Sequence, residues 1–187
     1  MRKIILSLLL FVSTTITFAQ SLDGVSISGD LETAVSKFKQ KGYTFYKYIT
    51  HGAIMKGVMN YQEVELFIYL TPKSKKIFKM VLYFPTENTW RSLNDSYDHL
   101  LNVLKNKYGT PDNSYSYFTT PYYLGDGYEL QAVEAEKCGY SAYWFKRSNL
   151  TLAIDISQFK QVRISYENDT LVELKDKEEA ELQRDQF

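Results

Sequence analysis

His51, His99 and Cys138 are the side chains of this sequence that could act near neutral pH as a base or a soft nucleophile. A hydrolase would need one of them beside an orienting group. Asp95 stands four residues before His99, the spacing at which two side chains meet on a helix, and this reads as a surface pair or as a dyad. His51 precedes Gly52 and reads as a turn. Glu134 and Glu136 alternate in a stretch expected to be extended, which would set both carboxylates on one side of a strand, as in a glycosidase pair or on a solvent face. Zinc would bring His-x-x-x-His or Cys-x-x-Cys spacing, and neither occurs, so no metal and no cofactor is expected. Cys138 is the sole cysteine, which removes any internal disulfide, and its sheet-like surroundings read as those of a buried thiol.

The second kind of chemistry on offer is contact. The chain holds 16 Tyr and 11 Phe against 2 Trp, and Tyr115, Tyr117, Phe118, Tyr122, Tyr123 and Tyr128 crowd around Pro121 and Gly125-Asp126-Gly127. Tyrosine offers wide apolar area with a polar tip, so such a loop could grip a protein or stack on a sugar, while cross-strand pairing could consume the same rings. Tyr117, Tyr122, Tyr123, Asp126 and Tyr128 are therefore the candidate ligand-binding residues, with Tyr122 and Tyr123 expected outermost.

The elements that must position these residues begin after a targeting segment. Arg2 and Lys3 precede an apolar run from Ile4 to Val12, and Thr17-Phe18-Ala19 suits signal peptidase, so residues 1–19 read as a signal peptide cut near Ala19-Gln20. The expected product is periplasmic or secreted. Losing Arg2 and Lys3 leaves 20 basic against 22 acidic residues, a field too weak to draw the chain to nucleic acid. No later run reaches the ~20 apolar residues of a transmembrane helix.

Leu31, Val35 and Phe38 predict a short helix capped by Asp30 and ended at Gly42. Trp90, Leu93, Tyr97, Leu100, Leu104 and Tyr108 predict a longer one, stopped by Gly109 and Pro111. Strands are expected where Val64 to Leu70 and Phe78 to Phe84 alternate about a Thr71 to Lys76 turn, and again at 114–118, 128–134, 140–146, 150–157 and 161–166. Residues 168–187 read as a charged tail or frayed helix. The fold class is α+β: a single domain over 20–167, made of two similar halves, 29–84 and 88–167, each one helix packed on antiparallel strands. The second half holds extra length that includes Tyr117 to Tyr128, expected to project from the shared scaffold.

Gly29-Asp30-Leu31 through Lys41-Gly42-Tyr43, and Pro85 through Thr89-Trp90 to Lys107-Tyr108-Gly109-Thr110-Pro111, resemble a family of exported proteins of Gram-negative gut anaerobes that brings no activity with it. The tandem order is more distantly similar to the β-lactamase-inhibitor-protein-like fold, which implies a non-enzymatic binding surface formed by the sheet and its loops. The expectation is an exported binding protein for a protein or glycan of the cell envelope. The alternative is a small envelope hydrolase using carboxylates or Cys138.

Overall fold

The structure, a computed structural model, describes residues 21–184, so the expected signal segment lies outside the described residues. A small hairpin of β1 (Ser21–Leu22) and β2 (Val25–Ser26) comes first. Helix α1 (Leu31–Gln40) forms as its spacing predicts: the Asp30 carboxylate accepts from the Thr33 N–H at 2.8 Å, and Phe38 is fully buried. Strands β3 (Thr44–Ile49), β4 (Gly52–Met59), β5 (Gln62–Leu70) and β6 (Ile77–Tyr83) follow, each antiparallel to the next. The two-residue link from β3 to β4 is tight enough to demand Gly52, where a Cβ would lie 1.8 Å from the Ile68 carbonyl oxygen.

The second half repeats this order. Helix α2 (Trp90–Tyr108) starts at a Thr89 cap and ends at Gly109, whose φ of +80° leaves the helical region. Strands β7 (Asn113–Phe118), β8 (Cys138–Trp144), β9 (Leu150–Ser157) and β10 (Gln161–Asn168) then form four antiparallel neighbours. All eight long strands make one sheet in the order β3-β4-β5-β6-β10-β9-β8-β7, so β6 and β10 form the seam and β3 and β7 the edges. Each half thus runs from its edge strand inward to the seam.

Alternation gives the sheet two unlike faces. Met55, Leu66, Ile68, Met80, Leu82, Trp144, Leu152, Ile154 and Ile164 point to one side and are buried there, under α1 against β3 and β4 and α2 against β9 and β10. The opposite side carries Phe67, Tyr69, Lys79, Tyr83, Tyr143, Asp155 and Arg163, which are partly exposed. Trp144 is the aromatic anchor of the core, its indole N–H donating to the Gly109 carbonyl at 2.8 Å, whereas Trp90 is half-buried against Phe118 and Tyr140.

Two expectations are corrected. The stretch 128–134 is not a strand: Glu129–Glu134 is a short helix, α3, with Ala132 and Val133 buried. Glu134 therefore ends a helix and pairs with Lys160 at 2.6 Å, and Glu136 lies in the following turn at φ +56°, so no strand aligns the two carboxylates. Downstream of β10, residues 169–184 form a regular helix, α4 (Asp169–Arg184), that packs across β6 and β10. Its anchor is Glu178, a buried carboxylate accepting from the backbone N–H groups of Lys73 and Ser74 in the β5–β6 turn.

Candidate functional site

The first two strands of the first half are joined by Thr50 and His51, whereas the equivalent strands β7 and β8 are joined by residues 119–137. That added length folds on itself. Asp126 accepts from the Tyr123 N–H at 2.9 Å and from the Tyr128 N–H at 2.7 Å, and the buried Glu129 carboxylate accepts from the Gly125 N–H at 2.8 Å. The Thr119 and Tyr122 N–H groups are also spoken for, donating to the Lys137 and Thr119 carbonyls. Asp126 and Glu129 thus hold the tip's amides from within, while the buried Ala132 and Val133 of α3 anchor its base.

What it displays is apolar. Tyr123, Leu124 and Tyr128 are 65%, 62% and 60% exposed, an unusual grouping for a loop tip that has polar residues available to it. Tyr122, expected among the outermost rings, is half-buried instead, and Leu124 takes that place. Asp126 is spent on the loop's own amides, so it shapes the site from below. Tyr117 belongs to strand β7, where its ring covers Gly139 across the ladder, a Cβ on Gly139 falling 2.5 Å from that ring. It heads a row of rings along the edge of the sheet face opposite α1 and α2: Tyr115 lies 6.3 Å from Tyr143, and Tyr143 stacks on Phe145 at 5.9 Å with nearly parallel planes.

The groups considered for catalysis are dispersed. His51 sits in the β3–β4 turn and Cys138 at the start of β8, at opposite ends of the sheet by strand register. His99 bonds to the Asn60 side chain at 2.8 Å, and Asp95 leans toward Arg91 at 3.8 Å, so the expected pair of Asp95 with His99 is not formed. Burial, with the Glu129 charge adding to it, pushes the Cys138 thiol up to about 12. Among the described residues, no three His, Cys, Asp or Glu side chains are grouped to hold a metal ion.

A second surface was not singled out residue by residue in the sequence. On the sheet face opposite α1 and α2, which α4 crosses, a groove of about 590 Å³ is lined by Tyr69, Phe78, Tyr83, Arg163 and Lys175 among others. Asp155 holds Arg163 through two bonds of 2.7 and 3.0 Å, and Lys79 pairs with Glu167 at 2.6 Å, so the floor is a set of matched charges between rings. Burial pushes the Tyr69 hydroxyl up to about 12, with Tyr83 beside it. The signal was legible in the alternation itself, since Phe67 and Tyr69 fall on the side of β5 that water should favour. No helix of the described residues is long and apolar enough to cross a membrane. Comparison of the chain with known protein families, with curated proteins and with solved structures finds no match in any of the three.

Proposed function

We propose that this chain is an exported, non-enzymatic binding protein that recognises a protein partner of the cell envelope through the 119–137 loop. The observation that carries the reading is the self-satisfied loop tip: Asp126 and Glu129 fix its backbone, and Tyr123, Leu124 and Tyr128 stand in water. A tip whose backbone is already fixed binds at lower entropic cost, because the loop need not be ordered when the partner arrives. Leu124 between two tyrosines makes a knob suited to a pocket on a protein, whereas a sugar platform would present a flat ring face. Export rests on the segment from Arg2 to Ala19. The test is capture from envelope extract by the immobilised protein beside its Tyr123→Ala/Leu124→Ala/Tyr128→Ala variant, followed by a direct titration of each species lost. A protein that binds the parent and is weakened at least tenfold by the triple change is the expected result. Equal binding by both would move the site elsewhere, and retention on a glycan array with no protein bound would make the ligand a sugar.

A further inference from the structure

The two edges of the sheet are built differently. Strand β3 carries Lys47, and its ladder with β4 slips between Phe45 and Lys47, a bulge and a charge that both discourage a further strand. Strand β7, Asn-Ser-Tyr-Ser-Tyr-Phe, has no charge, no proline and an unbroken register with β8 over six residues. The Thr119 N–H donates to the carbonyl of Lys137, its partner by continuation of the β7–β8 register, and antiparallel alternation then directs Tyr117, Tyr115 and Asn113 inward to β8. Ser114, Ser116 and Phe118 consequently aim their N–H and C=O groups away from the sheet. Among the described residues β7 has β8 as its one strand neighbour.

A row of alternating donors and acceptors at strand spacing matches another polypeptide backbone, and the centre of β7, Tyr115-Ser116-Tyr117, reads the same in both directions. We infer that β7 is a self-pairing edge, joining two copies of this chain into a continuous antiparallel sheet about a two-fold axis at Ser116. In that register Ser116 faces the other copy's Ser116, each Ser114 faces Phe118, and each Tyr115 faces Tyr117. Small side chains meet large on the helix side. Tyrosines about half exposed in the single chain, Tyr115 at 49% and Tyr117 at 56%, become two cross-strand ring pairs on the other side. Asp112 is set opposite Thr120, so no like charges are opposed. Because the axis stands perpendicular to the sheet, the faces opposite α1 and α2 of both copies look the same way, and the rows from Tyr115 to Phe145 join at the centre.

The experiment is sedimentation of the purified protein over a dilution series, with variants at the axis. The parent is expected to sediment at twice the chain mass. Ser116→Pro removes an outward N–H that the internal ladder does not use and is expected to give single chains with an unchanged far-ultraviolet spectrum. Ser116→Lys sets two ammonium groups against each other at the axis and serves if the proline disturbs folding. Hydrogen-bonded antiparallel partners stand about 5.5 Å apart at Cα, inside the disulfide range. In a Cys138→Ala background Ser116→Cys should then oxidise to a covalent dimer, while Tyr115→Cys should not. A parent that stays monomeric at every concentration, a dimer that survives both the proline and the lysine, or crosslinking through position 115 in place of 116 would each overturn the inference.

Discussion

Cys138 is the residue on which a catalytic reading would have to turn, and its surroundings disarm it. With its thiol pushed up to about 12, the nucleophilic thiolate is scarce at any pH near neutrality. Alkylation at pH 8 should run roughly 10³-fold slower in the folded protein than in urea, the ratio of thiolate fractions for a thiol near 12 and a free one near 8.5. A folded-state rate matching the unfolded one would return Cys138 to the list of reactive groups. Asp126 makes the opposite case, a carboxylate spent on the Tyr123 and Tyr128 amides that shapes the proposed tip. Asp126→Ala frees two loop amides and should cost about 1 kcal/mol in chemical denaturation, while weakening partner binding as much as loss of Tyr123 does. Trp144→Ala, by contrast, empties the core and should cost ~3–5 kcal/mol. The loop residues were legible as candidates because tyrosines crowd between turn formers. The division of labour among them was not, since which hydroxyl or carboxylate faces the backbone is settled by loop geometry.

At the level of elements, legibility follows length and period. The spacing from Trp90 to Tyr108 predicts α2 to the residue, and strict alternation does the same for β9 at Leu150–Ser157. Helix α3 was misread because six residues with Leu130, Ala132 and Val133 satisfy a period of two nearly as well as one of 3.6. Helix α4 reads as a charged tail or a frayed helix because its apolar residues are sparse; the helix is regular, and its buried polar attachment is Glu178, seated in the β5–β6 turn. Burial raises the Glu178 carboxyl, but the Ser74 side chain, the Lys73 and Ser74 N–H groups and the Lys73 charge outweigh it and hold the group below its ordinary value. A depressed carboxyl stabilises the fold above the unfolded value of about 4.3 and loses that contribution as pH falls through the folded one. The melting temperature of the parent should therefore exceed that of Glu178→Gln near neutral pH, with the gap closing toward pH 3. Amide exchange should show α4 released in the same range while the sheet stays protected. A gap that is constant with pH would mean that α4 is held by packing alone.

Across the whole molecule, what the sequence leaves open is which strands meet. Periodicity marks each strand separately, but the pairing of β6 with β10 joins residues some eighty positions apart, and no local pattern announces it. That seam makes one sheet out of two similar halves. Leu82 stands opposite Ile164 and Met80 opposite Tyr166, and Lys79 pairs with Glu167 across it. Further stitches lie beyond the ladder: Phe84 N–H donates to the Val162 carbonyl, the Gln161 amide to the Phe84 carbonyl, and the buried Asn168 amide to the Ile27 carbonyl. Separating the halves would leave Leu82 and Ile164 at bare strand edges and break the bond from the buried Asn168 amide to the Ile27 carbonyl, costs that neither half can recover alone. Fragments cut at Asn88, between the seam strand of the first half and α2, should therefore each lack a cooperative thermal transition. Mixed in equal amounts, they should recover the far-ultraviolet spectrum of the intact chain and melt together at a temperature that rises with concentration. If either fragment melts cooperatively by itself, the halves are independent folding units and the seam is an interface between finished parts.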